Sequence, residues 1–176
     1  MKRKKLLLTL LGVLLALPAL ARDFTYPYEG QTLTYTVIDE EAKTCKTKDG
    51  SFYPSGTLAG NSVSGTLIIP SVAKDGDVEY TVTALGEAAF SHRNLTSVTI
   101  PESVTTIGGY AFEGCNRLTS AEFASIEALC GIDFSYDSNP LEYAHHLYIA
   151  GKEVTEVVIP NTVSKIGDYT FSGCSS

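Results

Sequence analysis

The feature that most constrains this sequence is an internal repeat. Residues 95–115 read LTSVTIPESVTTIGGYAFEGC, and residues 154–174 follow the same template, with Pro160 in the place of Pro101. Partial copies occupy residues 65–70 and 82–90, and a further start lies at residues 118–123. Repetition with a period in the twenties is typical of a solenoid, in which similar units stack and each contacts only its neighbours.

The template also defines the secondary structure of one unit. Leu95, Val98 and Ile100 alternate with the polar residues Ser97 and Thr99, which is the two-residue period of a strand with one buried face. The proline that follows ends the strand because it has no N–H for a sheet ladder. The next apolar residues lie three apart and precede a glycine, which predicts a tight bend and a short helical or 3₁₀ return arm.

The inward positions of the copies are expected to form the core. We expect residues 67–69, 98–100 and 157–159 to lie side by side as rungs of one parallel ladder, with the template phenylalanines stacked behind them. The predicted core residues are Leu67, Ile69, Leu85, Phe90, Val98, Ile100, Ile107, Phe112, Cys115, Val157, Ile159, Ile166, Phe171 and Cys174.

The spacing of these residues resembles that of a known family. The pattern L-x-x-V-x-I-P-x-x-V-x-x-I-G-x-x-A-F-x-x-C is similar to the BspA-like leucine-rich repeats of bacterial surface and secreted proteins, over about residues 64–176. The resemblance implies a β-rich (α/β) leucine-rich-repeat solenoid, curved and right-handed, with a parallel β-sheet on the concave side. It also implies attachment to host matrix proteins or other cells, and no enzymatic activity.

The sequence divides into three parts. Residues 1–21 combine a basic start, a long apolar run and an Ala19-Leu20-Ala21 cleavage site, which predicts a signal peptide and export. A membrane anchor is the alternative, but the apolar run is shorter than the roughly 20 residues that cross a bilayer. Residues 22–63 alternate and turn as expected of an N-terminal β-cap. Residues 64–176 form the predicted solenoid, which stops at the end of a repeat and is therefore expected to be truncated at the C-terminus.

Two stretches interrupt the repeat. After Pro70, Asp75-Gly76 separates two strand-like runs and predicts a hairpin with an acidic tip. A calcium site is the alternative there, but the ligand spacing of an EF-hand loop is absent. Residues 118–153 keep the first strand of the template and lack its return arm, while residues 125–131 predict a short helix. This stretch is either one long unit or two short ones.

The charge balance limits the possible partners. The chain has 13 Lys and Arg residues against 20 Asp and Glu residues, a net charge of −7. Four basic residues and no acidic residue lie within positions 1–21, so the remainder carries a net charge of −11. We therefore expect no binding to nucleic acid and no insertion into a membrane after signal cleavage, because both anionic surfaces favour basic patches.

The cysteines and histidines do not form a recognisable site. Cys115 and Cys174 share one template position at least two units apart, which is too far for a disulfide, and Cys130 falls on an apolar helix face. Cys45 lies in a polar stretch and is the cysteine expected to be exposed, and a Cys45–Cys130 bridge remains an alternative. No metal-ligand, nucleophile or phosphate-binding motif occurs, so we expect no catalytic residue, no metal and no cofactor.

Binding is the function that remains. The outward positions of the predicted strands are free of packing, and the candidate ligand-binding residues are Thr66, Ile68, Ser97, Thr99, Ser120, Glu122, Glu156 and Val158. Together with the family resemblance they lead to the hypothesis of a secreted or cell-surface adhesion protein that binds host matrix or cell-surface proteins. One alternative is a structural spacer that projects a missing C-terminal domain. Another is a glycan-binding module, for which an aromatic row on the concave face is expected and is not seen.

Overall fold

The protein is β-rich, with two open sheets and two short helices in the part of the chain that the computed structural model describes, residues 21–51 and 61–175. Nearly all of the predicted signal peptide and residues 52–60 of the predicted cap lie outside the described residues. The strands are β1 (Asp23–Tyr28), β2 (Gln31–Asp39), β3 (Thr44–Thr47), β4 (Gly65–Ile68), β5 (Val72–Asp75), β6 (Val78–Leu85), β7 (Leu95–Ile100), β8 (Thr106–Ile107), β9 (Ser120–Phe123), β10 (Asp133–Phe134), β11 (Leu147–Ile149) and β12 (Lys152–Glu153). The helices are α1 (Ile126–Cys130), between β9 and β10, and α2 (Leu141–Ala144), between β10 and β11.

The first sheet, which we name the repeat sheet, has five strands in the order β12-β11-β9-β7-β4. Its strands β4, β7, β9 and β11 run parallel, and their register places Leu67, Val98, Ala121 and Leu147 in one row across the sheet. All four side chains are buried. The alternating apolar residues of the template therefore form the inner face of this sheet.

The second sheet, which we name the mixed sheet, has seven strands: β1-β2-β3-β6-β8-β10 in order, with β5 paired to β6. The strands β1, β2 and β3 pair antiparallel, whereas β6, β8 and β10 run parallel and place Leu85, Ile107 and Phe134 in one row. These three side chains are also buried. The units that begin at β7 and β9 thus contribute one strand to each sheet, and the unit that begins at β4 contributes β4 to the repeat sheet and both β5 and β6 to the mixed sheet.

The core between the two sheets contains the template phenylalanines. The rings of Phe90 and Phe112 are fully buried and stacked, with centroids 5.5 Å apart and planes inclined by 20°. Cys115 is buried beside them, and its Sγ donates a weak hydrogen bond to the carbonyl of Phe90 at 3.2 Å. The same template position in successive units therefore packs against its own copy, as a stacked repeat requires.

The two stretches that interrupt the repeat form regular strands and helices in the structure. The predicted hairpin at Asp75-Gly76 is confirmed, because β5 and β6 pair antiparallel through Asp75 and Val78. Residues 118–146 form one long unit, in which β9 joins the repeat sheet and β10 joins the mixed sheet. The prediction that this stretch lacks a return arm is wrong, because Phe134 takes the row position of Ile107 and a return arm with a different sequence is present.

The last copy of the template departs from the prediction. Residues 157–159 form no strand, so only 67–69 and 98–100 of the three expected rungs lie side by side. The reason is the hairpin of β11 and β12, which turns through Ala150 and Gly151, both with positive φ. Because β11 already pairs with β9 on one edge and β12 on the other, no edge of β11 is left for residues 157–159.

The core predictions for this last copy are corrected accordingly. Val157 and Ile166 are exposed, at 39% and 47% of their surface. Ile159, Phe171 and Cys174 are only partly buried, although Phe171 and Cys174 still pack against the core. The remaining predicted core residues are buried: Leu67, Ile69, Leu85, Phe90, Val98, Ile100, Ile107, Phe112 and Cys115.

The last copy is attached to the fold by its loop rather than by a ladder. The side chain of Asn139, which is fully buried, donates to the carbonyls of Tyr169 and Thr170 at 2.8 and 2.9 Å. Gly173 has a φ of +83°, and a Cβ there would lie within 2.6 Å of the backbone of residues 141 and 142. Only glycine allows this close approach.

Two isoleucines at one template position test this difference between copies. We expect Ile107→Ala to lower the free energy of unfolding by about 2–5 kcal/mol, because Ile107 is fully buried. The matched control Ile166→Ala should change it by less than about 0.5 kcal/mol, because Ile166 is exposed. Urea denaturation followed by circular dichroism measures both. Equal losses in the two variants would mean that residues 157–166 are packed like the earlier copies.

Candidate functional site

The candidate site is the outer face of the repeat sheet, formed by the side chains that point away from the core. The strand register arranges them in two rows. One row contains Thr66, Ser97 and Ser120, and the other contains Ile68, Thr99, Glu122 and Tyr148, with Glu153 of β12 opposite Tyr148. These side chains are exposed or half-buried, in contrast to the buried residues with which they alternate.

Hydrogen bonds fix several groups of this face. The Ser97 hydroxyl donates to Oγ1 of Thr66 at 3.0 Å, which links β7 to β4. The carboxylate of Glu122 accepts the backbone N–H of Gly151 at 2.7 Å and so holds the turn between β11 and β12. At the β4 edge, Nε2 of Gln31 donates to the carbonyl of Ile68 at 2.9 Å. The face is therefore preorganised, because its residues are held by neighbouring strands before any partner arrives.

The structure brings together six of the eight predicted binding residues: Thr66, Ile68, Ser97, Thr99, Ser120 and Glu122. Glu156 and Val158 do not join them, because they follow β12 and lie outside the sheet, with Val158 exposed at 72% of its surface. The prediction that these two residues lie on the sheet face is wrong, because residues 157–159 form no strand.

Sequence reasoning also missed residues at the other end of the face. Tyr148 continues the row of Thr99 and Glu122, and Nδ1 of His146 is hydrogen-bonded to the carboxylate of Glu153 beside it. The alternation of residues 146–150 gave a usable signal, since His146 and Tyr148 share one side of a strand. What was lacking was the pairing partner, because the sequence alone does not show that β11 follows β9 in the sheet.

The chemistry of the outer face is that of a contact surface. Hydroxyl groups and single carboxylates dominate it, and these groups donate and accept hydrogen bonds to polypeptide. In the described residues, no group of three or more His, Cys, Asp or Glu side chains is arranged to hold a metal ion. Across the same residues, none of the helices is long and apolar enough to span a membrane.

The cysteines are free thiols, and one prediction about them is wrong. Cys45 is fully buried on β3 instead of exposed, because its side chain points to the inner face of the mixed sheet while Lys46 points outward. Burial raises the pKa of Cys45 to about 12 and that of Cys115 to about 11. Both thiols therefore stay protonated at neutral pH and are poor nucleophiles.

Thiol alkylation tests this burial. We expect iodoacetamide at pH 8 to label Cys45 and Cys115 in the folded protein at least about 100-fold more slowly than in concentrated urea, because each pKa unit removes about nine-tenths of the thiolate. Cys174 is half-buried and should react before both. Peptide mapping by mass spectrometry gives the three rates. Rapid labelling of Cys45 in the folded chain would contradict its position on the inner face.

Comparisons with known proteins identify the same repeat. A protein-family model described as a BspA type leucine rich repeat region matches residues 74–142 and 145–176 in six copies, which is more than half of the chain. A search of curated proteins finds no significant match.

Three solved structures are similar in part. A leucine rich cell surface protein from Faecalibacterium prausnitzii is 22% identical with a TM-score of 0.39, and the match covers 57% of this chain and 23% of that protein. A leucine-rich repeat protein from Bacteroides capillosus is 26% identical with a TM-score of 0.41, over 72% of this chain and 99% of that one. A leucine-rich repeat protein from Bacteroides ovatus is 24% identical with a TM-score of 0.40, over 81% of this chain and 37% of that one.

Proposed function

The chain belongs to the BspA-type leucine-rich repeat family, and we propose that it is an exported, cell-surface adhesion module that binds proteins through the outer face of the repeat sheet. The observation that carries this proposal is the pair of in-register rows on that face. Their residues are exposed or half-buried and alternate with the buried core positions, so the sequence of the rows is free to serve a ligand.

Family membership and the amino-terminal sequence support export and surface location. Proteins with this type of repeat are typically secreted or surface-bound, and residues 1–21 have the charge and cleavage pattern of a signal peptide. We propose further that the repeats form a leucine-rich-repeat solenoid with the repeat sheet on its concave side. In this proposal β1, β2 and β3 cap the first unit, since β3 pairs directly with β6 of the mixed sheet.

The size of the outer face indicates the strength of the contact. Five strands about 4.8 Å apart make the face about 20 Å wide across the strands, and the two outward residues of each strand extend about 7 Å along it. This area is well below the roughly 800 Å² that each partner contributes to a standard interface. We therefore expect that binding by this face alone is weak, and that tight attachment requires the rim of the sheet or several copies of the module.

A charge placed at the centre of the face tests the proposal. We expect Thr99→Arg to weaken binding at least about tenfold, because Thr99 lies between Ile68 and Glu122 and a long cation there blocks close contact. The matched control is Thr106→Arg on β8 of the mixed sheet, which makes the same exchange at another exposed strand position and should leave binding unchanged. The measurement is surface plasmon resonance of the chain against a panel of host matrix and bacterial surface proteins.

The outcomes separate the candidate functions. If the Thr99→Arg and Thr106→Arg variants bind a protein of the panel with equal affinity, the outer face is excluded as the binding surface. If no protein of the panel binds the unmodified chain, the adhesion proposal fails and the spacer alternative is favoured. Thermal unfolding of both variants is the check on folding, and we expect both to unfold within a few degrees of the unmodified chain because neither position is in the core.

A further inference from the structure

A second surface lies away from the outer face, at the turns that follow β8 and β10 and at the corresponding turn of the last copy. It consists of Tyr110, Tyr136 and Tyr169, and we name it the tyrosine edge. The centroids of the Tyr110 and Tyr136 rings are 5.6 Å apart, and those of Tyr136 and Tyr169 are 6.5 Å apart. Tyr136 exposes 63% and Tyr169 46% of its surface, so the row is accessible to solvent.

The backbone aligns these rings. The N–H of Tyr110 donates to the carbonyl of Tyr136 at 3.1 Å, which joins the first two turns. The buried Asn139 side chain donates to the carbonyl of Tyr169 at 2.8 Å, which joins the second turn to the third. The three tyrosines are therefore positioned by the stacking of the units, and little conformational freedom of the backbone is lost when a ligand binds.

The orientation of the rings indicates the shape of the ligand. The planes of Tyr110 and Tyr136 are inclined by 72°, and those of Tyr136 and Tyr169 by 90°. Successive rings of a flat sugar chain stack on coplanar aromatic rings, and this row is not coplanar. In an edge-to-face pair the edge of one ring lies over a face of the other, so the exposed part of the Tyr136 ring remains for a ligand, and an exposed aromatic face attracts cations.

The surrounding charge favours a cation as well. The three turns, residues 108–114, 134–143 and 167–174, contain Glu113, Asp137, Glu142 and Asp168 and no lysine or arginine. Asp137 and Glu142 share a side-chain hydrogen bond, and burial together with this neighbour raises the pKa of Glu142. Two carboxyl groups held this closely repel each other when ionised, and a cation beside them relieves that repulsion.

We propose that the tyrosine edge is a second binding surface, which takes lysine or arginine side chains of a basic polypeptide. The alkyl stem and cationic head of such a side chain fit against the ring of Tyr136, and Asp137 and Asp168, which adjoin Tyr136 and Tyr169 in the sequence, supply the counter-charge. The proposal extends the protein-binding role to another part of the surface. It does not require the outer face, so the two proposals fail separately.

The test is a titration of the full chain with the peptide acetyl-(Lys-Gly)₃-amide, followed by calorimetry, with the norleucine analogue as the uncharged control. We expect Tyr136→Leu to weaken binding of the lysine peptide about 2- to 30-fold, which corresponds to the range of a cation–π contact. The matched variant Tyr136→Phe keeps the ring and should bind as the unmodified chain does. Thr99→Arg on the outer face should also leave this binding unchanged.

Three results would overturn the proposal. The first is equal affinity of the unmodified chain and Tyr136→Leu for the lysine peptide. That result would mean that the negative charge of the protein, and not the tyrosine ring, attracts the peptide. The second is equal binding of the lysine and norleucine peptides. The third is binding of a neutral oligosaccharide, such as cellohexaose, in the absence of lysine-peptide binding, which would identify a glycan surface instead. Since Tyr136 is largely exposed, we expect Tyr136→Leu to fold, and its thermal unfolding confirms this in the same experiment.

Discussion

The structure depends on two parallel ladders that the units beginning at β4, β7 and β9 join at the same time. Leu67, Val98, Ala121 and Leu147 form a row in the repeat sheet, and Leu85, Ile107 and Phe134 form a row in the mixed sheet. One unit between these rows has too few internal contacts to offset the conformational entropy of ordering its residues. Its stability comes from the unit before it and the unit after it, which is why the same apolar positions recur along the chain.

The stacking of the units also explains why the outer face and the tyrosine edge are held in fixed positions. The inner positions of the strands and turn residues such as Phe90 and Phe112 form the core, whereas the outward positions of the strands and exposed turn residues such as Tyr136 have no part in it. Thr99 and Glu122 on the outer face, and Tyr136 at the turn, are therefore held in fixed positions by the backbone. A repeat fold thus provides rigid contact surfaces on several sides, each of which can change without loss of the core.

The sequence predicted what the repeat specifies locally. The strands at Leu67 and Val98, the burial pattern of their neighbours and the hairpin at Asp75-Gly76 all follow from alternation and turn residues within one unit. The pairing of residues 67–69 with 98–100 also followed from the repeat, but the sequence did not show that this pairing stops before residues 157–159. Ile166 fits the template as well as Ile107 does, yet it is exposed, because the hairpin of β11 and β12 fills the edge of β11 and residues 157–166 add no strand to either sheet.

The same limit applies to the candidate site. Thr66, Ser97 and Ser120 were found because they occupy equivalent template positions, whereas Tyr148 was missed because its strand has no template sequence around it. The expectation that Cys45 is exposed failed for a related reason. Lysines flank it in the sequence, but adjacent residues of a strand point to opposite faces, and the inner one is buried.

The attachment of the last copy through Asn139 has a mechanical consequence. A pulling force applied to residues 154–175 acts on separate contacts, among them the side-chain hydrogen bonds that join this asparagine to Tyr169 and Thr170 and the contact of the His145 ring with the carbonyl of Gly173, since no strand of this segment shares a ladder with the repeat sheet. These bonds would break before the parallel strands are loaded. The chain would then lengthen at this point under tension while its ordered units, and the surfaces they carry, remain intact.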